Sequence, residues 1–319
     1  MVEMRVVRQR EWGGPETLEV LESPVPRPAP TEVLVRVAAA GVNPVDVYTR
    51  RGLAYNQVLG LPFVNGWDVA GVVEEVGYGV TRFRRGDRVF GMPRFPFEAG
   101  CYAEYLTAPS RHLAPIPDGL GFVDAAALPL AGLTAWQMLV DAAGVAPGDR
   151  VLVSAAAGGV GHLAVQVAKA RGAYVIGTAS AAKHGFVKEL GADEVVDHTA
   201  VDVGEAVRDV DVVVQMFGGD QALRALSCLR PGGIMVNAQG AWTPGMAERA
   251  AELGVRATWF LVEPDADGLE ALAHLVAGGR LAVHVSARFP LAEVAAAHAL
   301  IAEGRTLGKI VLTVDGSGA

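Results

Sequence analysis

Cysteine is almost absent from this sequence, which has only Cys101 and Cys228 among its 319 residues. The two are far apart and outside any CxxC spacing, so we expect neither a disulfide framework nor a cysteine-rich zinc site. Isolated thiols suit a reducing compartment. Residues 1–14 also lack the apolar segment and the small-residue cleavage site of a secretory signal. These features predict a cytoplasmic protein.

Net positive charge and long apolar segments are missing as well. The formal net charge of -8 argues against general affinity for nucleic acid or anionic membranes, because both need a basic surface. Of two uncharged stretches, residues 125–140 are too short for a transmembrane helix of ~20 residues, and residues 151–168 are interrupted by glycine. We therefore expect no membrane span and no nucleic-acid partner, and we interpret residues 125–140 as a buried helix.

What the sequence does contain is ample apolar material for buried cores, with 51% hydrophobic residues. Its 319 residues exceed the roughly 100–200 residues of an average domain, which predicts two domains. In the first third, short β-rich segments between Pro- and Gly-rich turns predict a small barrel or partly open sheet. These segments are residues 18–20, 32–38, 69–76 and 88–91.

From Arg150 onward, apolar strands alternate with amphipathic helices. Such alternation predicts a parallel sheet joined by right-handed crossovers. Six predicted strands, the last two in GGIMVNAQG and RATWFLV, match a doubly wound nucleotide-binding domain. The tail is expected to hold a helix near 269–276, a strand near 284–289, a helix near 291–302 and the final strand KIVLTV.

The most informative motif is AAAGGVG at residues 155–161, directly after a predicted strand and directly before a predicted helix. It matches the GxGxxG dinucleotide fingerprint, with alanine replacing the first glycine. The middle glycine lets the backbone approach a pyrophosphate, and the helix N-terminus favours an anion. A lone glycine cluster could be an ordinary tight turn, but the strand–turn–helix context favours cofactor binding. The predicted contacts are Ala156, Gly158, Gly159, Val160 and Gly161.

The end of the second predicted strand indicates which cofactor binds. It reads GTAS up to Ser180 and has no acidic residue there to hold the ribose of NAD. Lys183 follows within one turn, and His198 closes the third strand. Each of these residues alone could be an ordinary solvated side chain. Together, a hydroxyl, an amine and an imidazole suit a 2′-phosphate, so we predict NADPH.

Several segments resemble the medium-chain dehydrogenase/reductase superfamily in order and spacing, over essentially the whole chain. Within that superfamily, GVNPVD and AAAGGVG most resemble strings of the quinone oxidoreductases and zeta-crystallins. The segments are AAAGVNPVDVYTRRG (38–52), PFVNGWDVAGVVEEVG (62–77), FRRGDRV (83–89), AAAGGVG (155–161) and GKIVLTV (308–314).

The resemblance implies an α/β fold and an assembly. A doubly wound Rossmann domain, residues 121–260, is expected to be inserted into a β-rich, barrel-like (GroES-like) catalytic domain formed by residues 1–120 and 261–319. A homodimer is also implied, because relatives pair the strand that corresponds to RATWFLV across a two-fold axis. An apolar strand at a sheet edge tends to be covered or paired.

The same resemblance implies that the catalytic zinc of the related alcohol dehydrogenases is absent. Their metal positions correspond here to Asn43, Trp67, Asp68 and Leu130. Tryptophan and leucine cannot ligate zinc, and an isolated Asn and Asp do not make a tetrahedral N/S site. The four-cysteine lobe is missing too, since GMPRFPFEAGCYAEY holds only Cys101. We therefore expect no metal ligands, and simple alcohol oxidation would lack its electrophile.

Without a metal, a conjugated acceptor suits such a site, because neutral hydrogen-bond donors can stabilise charge that spreads to an oxygen. The resemblance places Asn43 and Tyr48 beside the nicotinamide, with Thr134 as a weaker catalytic candidate. Taken alone, these would be a turn-forming Asn, a packed Tyr and a helix hydroxyl bonded to its own backbone. Other residues that the resemblance brings near the cofactor are Gly218, Asn237, Gly240, Phe260 and Lys309.

The leading functional hypothesis is an NADPH-dependent oxidoreductase that transfers hydride to a small-molecule quinone or other conjugated carbonyl without catalytic zinc. Two alternatives stay open. The first is an enoyl reductase acting on an α,β-unsaturated acyl thioester, and the second is a crystallin-like NADPH-binding protein with low turnover.

Overall fold

A computed structural model describes residues 2–239 and 243–314. Contacts divide the chain into two units, and we describe each by itself. The first unit contains the residues up to Leu133, Glu263–Ala277 and the residues from Val283 onward, and the second contains Thr134–Val262 and Gly278–Ala282. This division puts residues 121–133 in the first unit, whereas the sequence boundaries put them in the Rossmann domain. Those boundaries stay a prediction.

The secondary structure combines short strands in the first part of the chain with alternating strands and helices after it. The strands are β1 (Glu3–Gln9), β2 (Leu18–Pro24), β3 (Glu32–Val42), β4 (Phe63–Val64), β5 (Val69–Val76), β6 (Arg88–Gly91), β7 (Tyr105–Pro109), β8 (Leu113–Pro115), β9 (Arg150–Val153), β10 (Tyr174–Ala179), β11 (Glu194–Asp197), β12 (Val210–Gln215), β13 (Leu229–Asn237), β14 (Arg256–Trp259), β15 (Val285–Pro290) and β16 (Lys309–Thr313). The helices are α1 (Pro44–Arg50), α2 (Phe122–Ala126), α3 (Pro129–Trp136), α4 (Gly161–Ala170), α5 (His184–Glu189), α6 (Val203–Ala206), α7 (Gly219–Ala225), α8 (Met246–Leu253), α9 (Ala266–Ala277) and α10 (Val294–Ala302).

The first unit is built on a mainly antiparallel seven-stranded sheet in the order β15-β16-β3-β5-β6-β8, with β7 paired to β3. A smaller sheet, β2-β1-β4, accompanies it. The apolar side chains of β3 are buried along most of its length, as expected of a central strand. Strand β16 runs antiparallel to β3 with Ile310 opposite Val42. This register brings Lys309, near the end of the chain, beside the last residues of β3.

The second unit is a six-stranded parallel sheet in the order β11-β10-β9-β12-β13-β14. This is the strand order 3-2-1-4-5-6 of the doubly wound dinucleotide-binding fold. The order reverses between β9 and β12, where Ser154 N donates to the Val214 carbonyl at 3.0 Å and Met216 N donates to Ser154 Oγ at 2.8 Å. Ligands of such sheets bind at this switch point. The predicted fold class is confirmed.

The uncharged segment 125–140, expected to form one buried helix, is broken into parts. Helix α2 ends at Ala126, α3 begins at Pro129, and a π-helical turn follows at Gln137–Ala142. Proline has no N–H and fits the first turn of a helix but not its interior, so the helix restarts there. No helix in residues 2–239 and 243–314 is long and apolar enough to cross a membrane.

Candidate active site

The first turn of α1 fixes the backbone of Asn43. The Asp46 carboxylate accepts a hydrogen bond from the backbone nitrogen of Asn43 at 2.7 Å, and the backbone nitrogen of Asp46 donates to the backbone carbonyl of Asn43 at 3.0 Å. Pro44 suits the first helical position because its missing N–H would be unpaired there anyway. The sequence NPVD therefore ends β3 and starts α1 at Asn43.

The Asn43 side chain bridges a buried ion pair. Its Oδ1 accepts a hydrogen bond from Lys309 Nζ, and its Nδ2 donates to Asp68 Oδ2 at 2.8 Å. Lys309 Nζ also donates to the Val42 carbonyl at 3.1 Å and lies 3.5 Å from Asp68 Oδ2. The other Asp68 oxygen accepts a hydrogen bond from Leu130 N at 2.7 Å. We call Lys309, Asn43 and Asp68 the amide-bridged ion pair.

The amide-bridged ion pair is closed off from solvent, since the Lys309 and Asp68 side chains are 2% and 0% exposed. Burial lowers the pKa of Lys309 and raises the pKa of Asp68, because each charged form loses its hydration. The attraction between the two charges opposes both shifts. Removal of either partner would leave the other charge buried and uncompensated, which is strongly unfavourable.

A second buried network extends from Asp46. Its Oδ2 accepts a hydrogen bond from the Tyr102 hydroxyl at 2.8 Å, and His298 Nε2 lies 3.3 Å from the same hydroxyl oxygen. Burial raises the pKa of Asp46 to about 7, and the charge of Asp68 acts in the same direction. Burial, with a smaller effect from Arg50, lowers the pKa of His298 to about 3. At neutral pH, His298 is therefore an uncharged ring.

Trp67 lies beside Asp68 in sequence and is buried. Its indole Nε1 donates to the Phe97 carbonyl at 2.8 Å. Its ring makes edge contacts with Phe95 and Tyr55, with centroid distances of 5.2 and 6.2 Å. The indole is thus held by aromatic packing, and its one polar atom is already paired.

The other two predicted catalytic residues lie in different surroundings. Tyr48 projects from α1 and is 42% exposed, and its hydroxyl is not hydrogen-bonded to any of the described residues. Thr134 is buried within α3, at the first residue of the second unit. The structure brings Asn43 and Lys309 into direct contact. The catalytic roles of Asn43, Tyr48 and Thr134 stay predictions.

The turn after β9 has the close packing that the glycine motif predicts. Thr178 of β10 anchors it, because the Ala155 nitrogen donates to the Thr178 hydroxyl at 3.2 Å and the Ala156 nitrogen to its carbonyl at 2.9 Å. A Cβ on Gly161 would lie 2.1 Å from the Ala155 carbonyl oxygen, so only glycine fits there. Gly158 is half-buried, and a Cβ on it would lie 3.2 Å from that oxygen. Contact of the turn with a bound dinucleotide stays a prediction.

Residues predicted to bind the 2′-phosphate lie at the ends of β10 and β11. Ser180 follows β10, and its carbonyl accepts a hydrogen bond from Lys183 N at 2.8 Å. His198 is exposed directly after β11. Sequence reasoning missed Asp197, which the strand register pairs with Ala179. Hydrogen bonds from the Thr199 hydroxyl and amide lower the pKa of Asp197, so a carboxylate stands near this strand end.

Asn237, one of the residues predicted near the nicotinamide, lies at the end of β13. Asn237 is fully buried, its Oδ1 accepts a hydrogen bond from Gln239 N at 2.8 Å, and its carbonyl accepts one from Phe260 N at 3.1 Å. Gly218 is half-buried at the start of α7. Gly240 lies outside the described residues. Contact of these residues with the cofactor stays a prediction, as it does for Lys309, whose Nζ is enclosed by the first unit's own oxygens.

The sequence did not indicate that Asp68, Tyr102 and His298 would join the site. Asp68 stands out only because it corresponds to a zinc-ligand position of the related alcohol dehydrogenases. Tyr102 and His298 have no motif of their own. Their partners are distant in sequence and are brought together by strand register and by the packing of α10. The one available signal was that a Lys and an Asp both lie within apolar strand-forming segments, where unpaired charges are rare.

Comparison with known proteins places these features in a family. Residues 29–118 match the model described as "Alcohol dehydrogenase GroES-like domain", and residues 190–312 match the one described as "Zinc-binding dehydrogenase". The chain is 36% identical to a 2-haloacrylate reductase from Burkholderia, with 98% of this chain and 99% of that protein covered. It is also 36% identical to the quinone oxidoreductase of Homo sapiens, with 97% of each chain covered.

Solved structures agree with these relatives. The structure of the quinone oxidoreductase from Coxiella burnetii superposes with a TM-score of 0.94 at 36% identity, covering 98% of this chain and 100% of that one. A mycobacterial protein complexed with NADPH has a TM-score of 0.86 at 33% identity, with 98% and 100% covered. The chain belongs to the medium-chain dehydrogenase/reductase superfamily. The predictions of an oxidoreductase and of NADP(H) as its cofactor are confirmed.

Replacement of Asp46 by Asn should remove the contribution that Asp46 makes to the pH dependence of stability. The pKa of Asp46 rises from 3.8 in the unfolded chain to about 7 when folded. The folded state therefore holds this proton more tightly, and its stabilising contribution is complete below pH 3.8 and is lost as pH rises toward 7. Asn cannot ionise, and its Oδ1 can accept both hydrogen bonds that Asp46 Oδ2 accepts.

Urea denaturation from pH 4 to 8 measures this effect. The stability of Asp46→Asn relative to the wild type should increase by up to about 1.4 kcal/mol per pH unit and level off above pH 7. The exposed Asp118→Asn variant is the control. A difference between Asp46→Asn and the wild type that stays constant across this range would contradict the assignment.

Proposed function

We propose that the chain transfers hydride from NADPH to a quinone or another electron-poor conjugated carbonyl compound without a catalytic metal. The observation that carries this proposal is the state of the polar groups in the first unit. Both Asp68 oxygens accept hydrogen bonds, Asn43 Oδ1 faces an ammonium group, and the Trp67 N–H is paired. These groups are engaged with one another and with the backbone, and they do not form a tetrahedral set of metal ligands.

Conjugated acceptors suit this arrangement. Bound NADPH supplies the hydride, and the protein supplies position and electrostatics. The charge that the hydride brings spreads through the conjugated system to an oxygen, where a neutral donor can stabilise it. The exposed Tyr48 hydroxyl is the leading donor, Asn43 Nδ2 retains one N–H beyond its bond to Asp68, and Thr134 is a weaker candidate.

The names of two relatives support the same class of acceptor. One relative is a quinone oxidoreductase and the other a 2-haloacrylate reductase. A quinone and a 2-haloacrylate both place a carbon–carbon double bond in conjugation with a carbonyl group. A conjugated carbonyl is therefore the acceptor class that we assign to this chain.

Steady-state oxidation of NADPH against quinones, enones and enoyl thioesters, each with and without a zinc chelator, tests the proposal. Quinones or enones should give the highest kcat/KM, and the chelator should change nothing. A ranking led by enoyl thioesters would instead support an enoyl reductase, and the absence of saturable turnover would support a crystallin-like NADPH-binding protein. Activity that disappears together with stoichiometric bound zinc would overturn metal independence.

Tyr48→Phe should lower kcat with little change in KM for NADPH, because the hydroxyl is assigned to the acceptor oxygen and not to the cofactor. Loss of one such donor costs roughly a hundredfold or more in rate. Tyr78→Phe is the matched control, since Tyr78 is 89% exposed and belongs to a turn after β5. Equal turnover in Tyr48→Phe and the wild type would remove Tyr48 from the mechanism.

We further propose a preference for NADPH over NADH, carried by Lys183 with Ser180 and His198 and weakened by Asp197. The preference is measured as the ratio of kcat/KM for NADPH to kcat/KM for NADH. Lys183→Ala should lower this ratio by roughly tenfold or more, because it loses one charge-assisted hydrogen bond. Asp197→Asn should raise the ratio, because it removes a negative charge near the 2′-phosphate. Lys188→Ala, at an exposed position of α5, is the control. Ionic strength must be fixed, since salt screens these contacts.

Assembly and location are also proposals. Strand β14 lies at the edge of the second unit's sheet, and Trp259 is 66% exposed there. A strand at a sheet edge presents unpaired backbone groups that can pair with a second copy, so we propose a homodimer. Sedimentation velocity at micromolar concentration should show the homodimer, and a monomer alone would exclude it.

The proposed location is the cytoplasm. Both cysteines are free and buried, which suits that reducing compartment.

A further inference from the structure

We propose that Lys309 is a positioning residue whose buried ammonium group holds the Asn43 side-chain amide in a single orientation for the reduction of the acceptor. The inference rests on the proposed function. It deepens that function by giving a role to a cation that does not itself touch the substrate.

The backbone places Lys309 at this point with little freedom. Lys309 N donates to the His284 carbonyl at 2.8 Å, and the Lys309 carbonyl accepts a hydrogen bond from Ser286 Oγ at 3.2 Å. Gly308 has φ +58°, and a Cβ there would lie 2.2 Å from the His284 carbonyl oxygen. Glycine is therefore required at position 308. Gly308 directs the chain into β16, which begins at Lys309, and the lysine side chain enters the interior of the first unit.

Three oxygens surround the ammonium group and match its three N–H donors. They belong to the Val42 carbonyl, the Asn43 side-chain amide and the Asp68 carboxylate. Lysine in the interior of a protein needs such compensation, because an unpaired buried charge is very costly. Its only charged partner among these is Asp68, which in turn receives the Asn43 Nδ2 hydrogen bond.

The two charges determine which way the amide faces. With Oδ1 toward Lys309 and Nδ2 toward Asp68, each end of the amide meets its complement. Rotation of the amide by half a turn would point N–H groups at the ammonium and a carbonyl oxygen at the carboxylate. Both contacts would be repulsive in a buried site, where electrostatic interactions are strong. The Nδ2 hydrogen that does not bond Asp68 therefore has one fixed direction.

A fixed donor direction matters for the rate of reduction. Preorganised donors stabilise developing charge without reorganisation during the reaction. The backbone of Asn43 is held independently by Asp46, so loss of Lys309 should release the side chain while α1 keeps its start. We thus expect an effect on kcat that exceeds any effect on KM for NADPH.

Lys309→Ala with chemical rescue is the first test. The variant leaves the Val42, Asn43 and Asp68 oxygens without their cation, and ethylammonium should replace it. We expect kcat to fall by roughly a hundredfold, the scale of a misplaced catalytic group, and to recover partly with ethylammonium. Tetramethylammonium has no N–H and should not rescue. Ethylammonium should also raise the Tm of Lys309→Ala, but not that of the wild type or of the exposed-lysine control Lys188→Ala.

The double variant Lys309→Met/Asp68→Asn covers the case in which Lys309→Ala does not fold. Neutral replacement of a buried ion pair is often tolerated, so the double variant should fold with a Tm near that of the wild type and still have low kcat. Wild-type kcat in this variant would overturn the proposal. So would a folded Lys309→Ala that ethylammonium neither stabilises nor reactivates.

The outcomes also separate this inference from the proposed function. If the wild type reduces none of the conjugated acceptors, the proposed function fails and the positioning role fails with it. A Tm increase of Lys309→Ala in ethylammonium would then still demonstrate the cation site, because that measurement needs no acceptor. If the wild type is active and the double variant equally so, only the positioning role is lost.

Discussion

The constraint that neither Lys309 nor Asp68 can be buried as a charge without the other underlies the order of the first unit. The pair joins the start of β16 to the residue before β5, and through Asn43, Val42 and Leu130 it includes the end of β3 and the start of α3. Breaking a buried pair from one side costs about 3–5 kcal/mol, a large part of the ~5–15 kcal/mol that stabilises a typical protein. Four separate stretches of chain are therefore held to one geometry.

In the second buried network, Asp46 and His298 change the stability of the fold in opposite directions as the pH changes. His298 takes up a proton near pH 6.5 when unfolded but only near pH 3 when folded, so it lowers stability as the pH falls through that range. Asp46 has the reverse effect, because its pKa is raised by folding. The two contributions largely cancel between about pH 4 and 6.5. The Tyr102 hydroxyl contacts both Asp46 and His298. In the folded protein both of these groups are mainly uncharged across this range.

Periodicity and local motifs predicted the fold well, because both depend on neighbours in sequence. The six strands of the second unit and the close approach at Gly161 follow from the pattern of apolar residues and glycines. The amide-bridged ion pair was not predictable, since its members meet only through the register of β16 on β3. Asp197 was missed although the next residue, His198, was predicted at the same site, because the fingerprint expects its acidic residue at the end of β10 and not of β11. The buried helix predicted over residues 125–140 is confirmed only from Pro129 onward, where α3 runs into the π-helical turn, because the proline starts a new helix.

The position of Lys309 late in the chain affects how the protein folds during synthesis. Asp68 and Asn43 leave the ribosome long before residue 309, and no other cation hydrogen-bonds to Asp68 among the described residues. Until β16 pairs with β3, burial of Asp68 would be uncompensated, so the early strands can collapse only with that carboxyl group protonated or still hydrated. Compensation of the Asp68 charge in the first unit therefore requires that β16 has paired with β3.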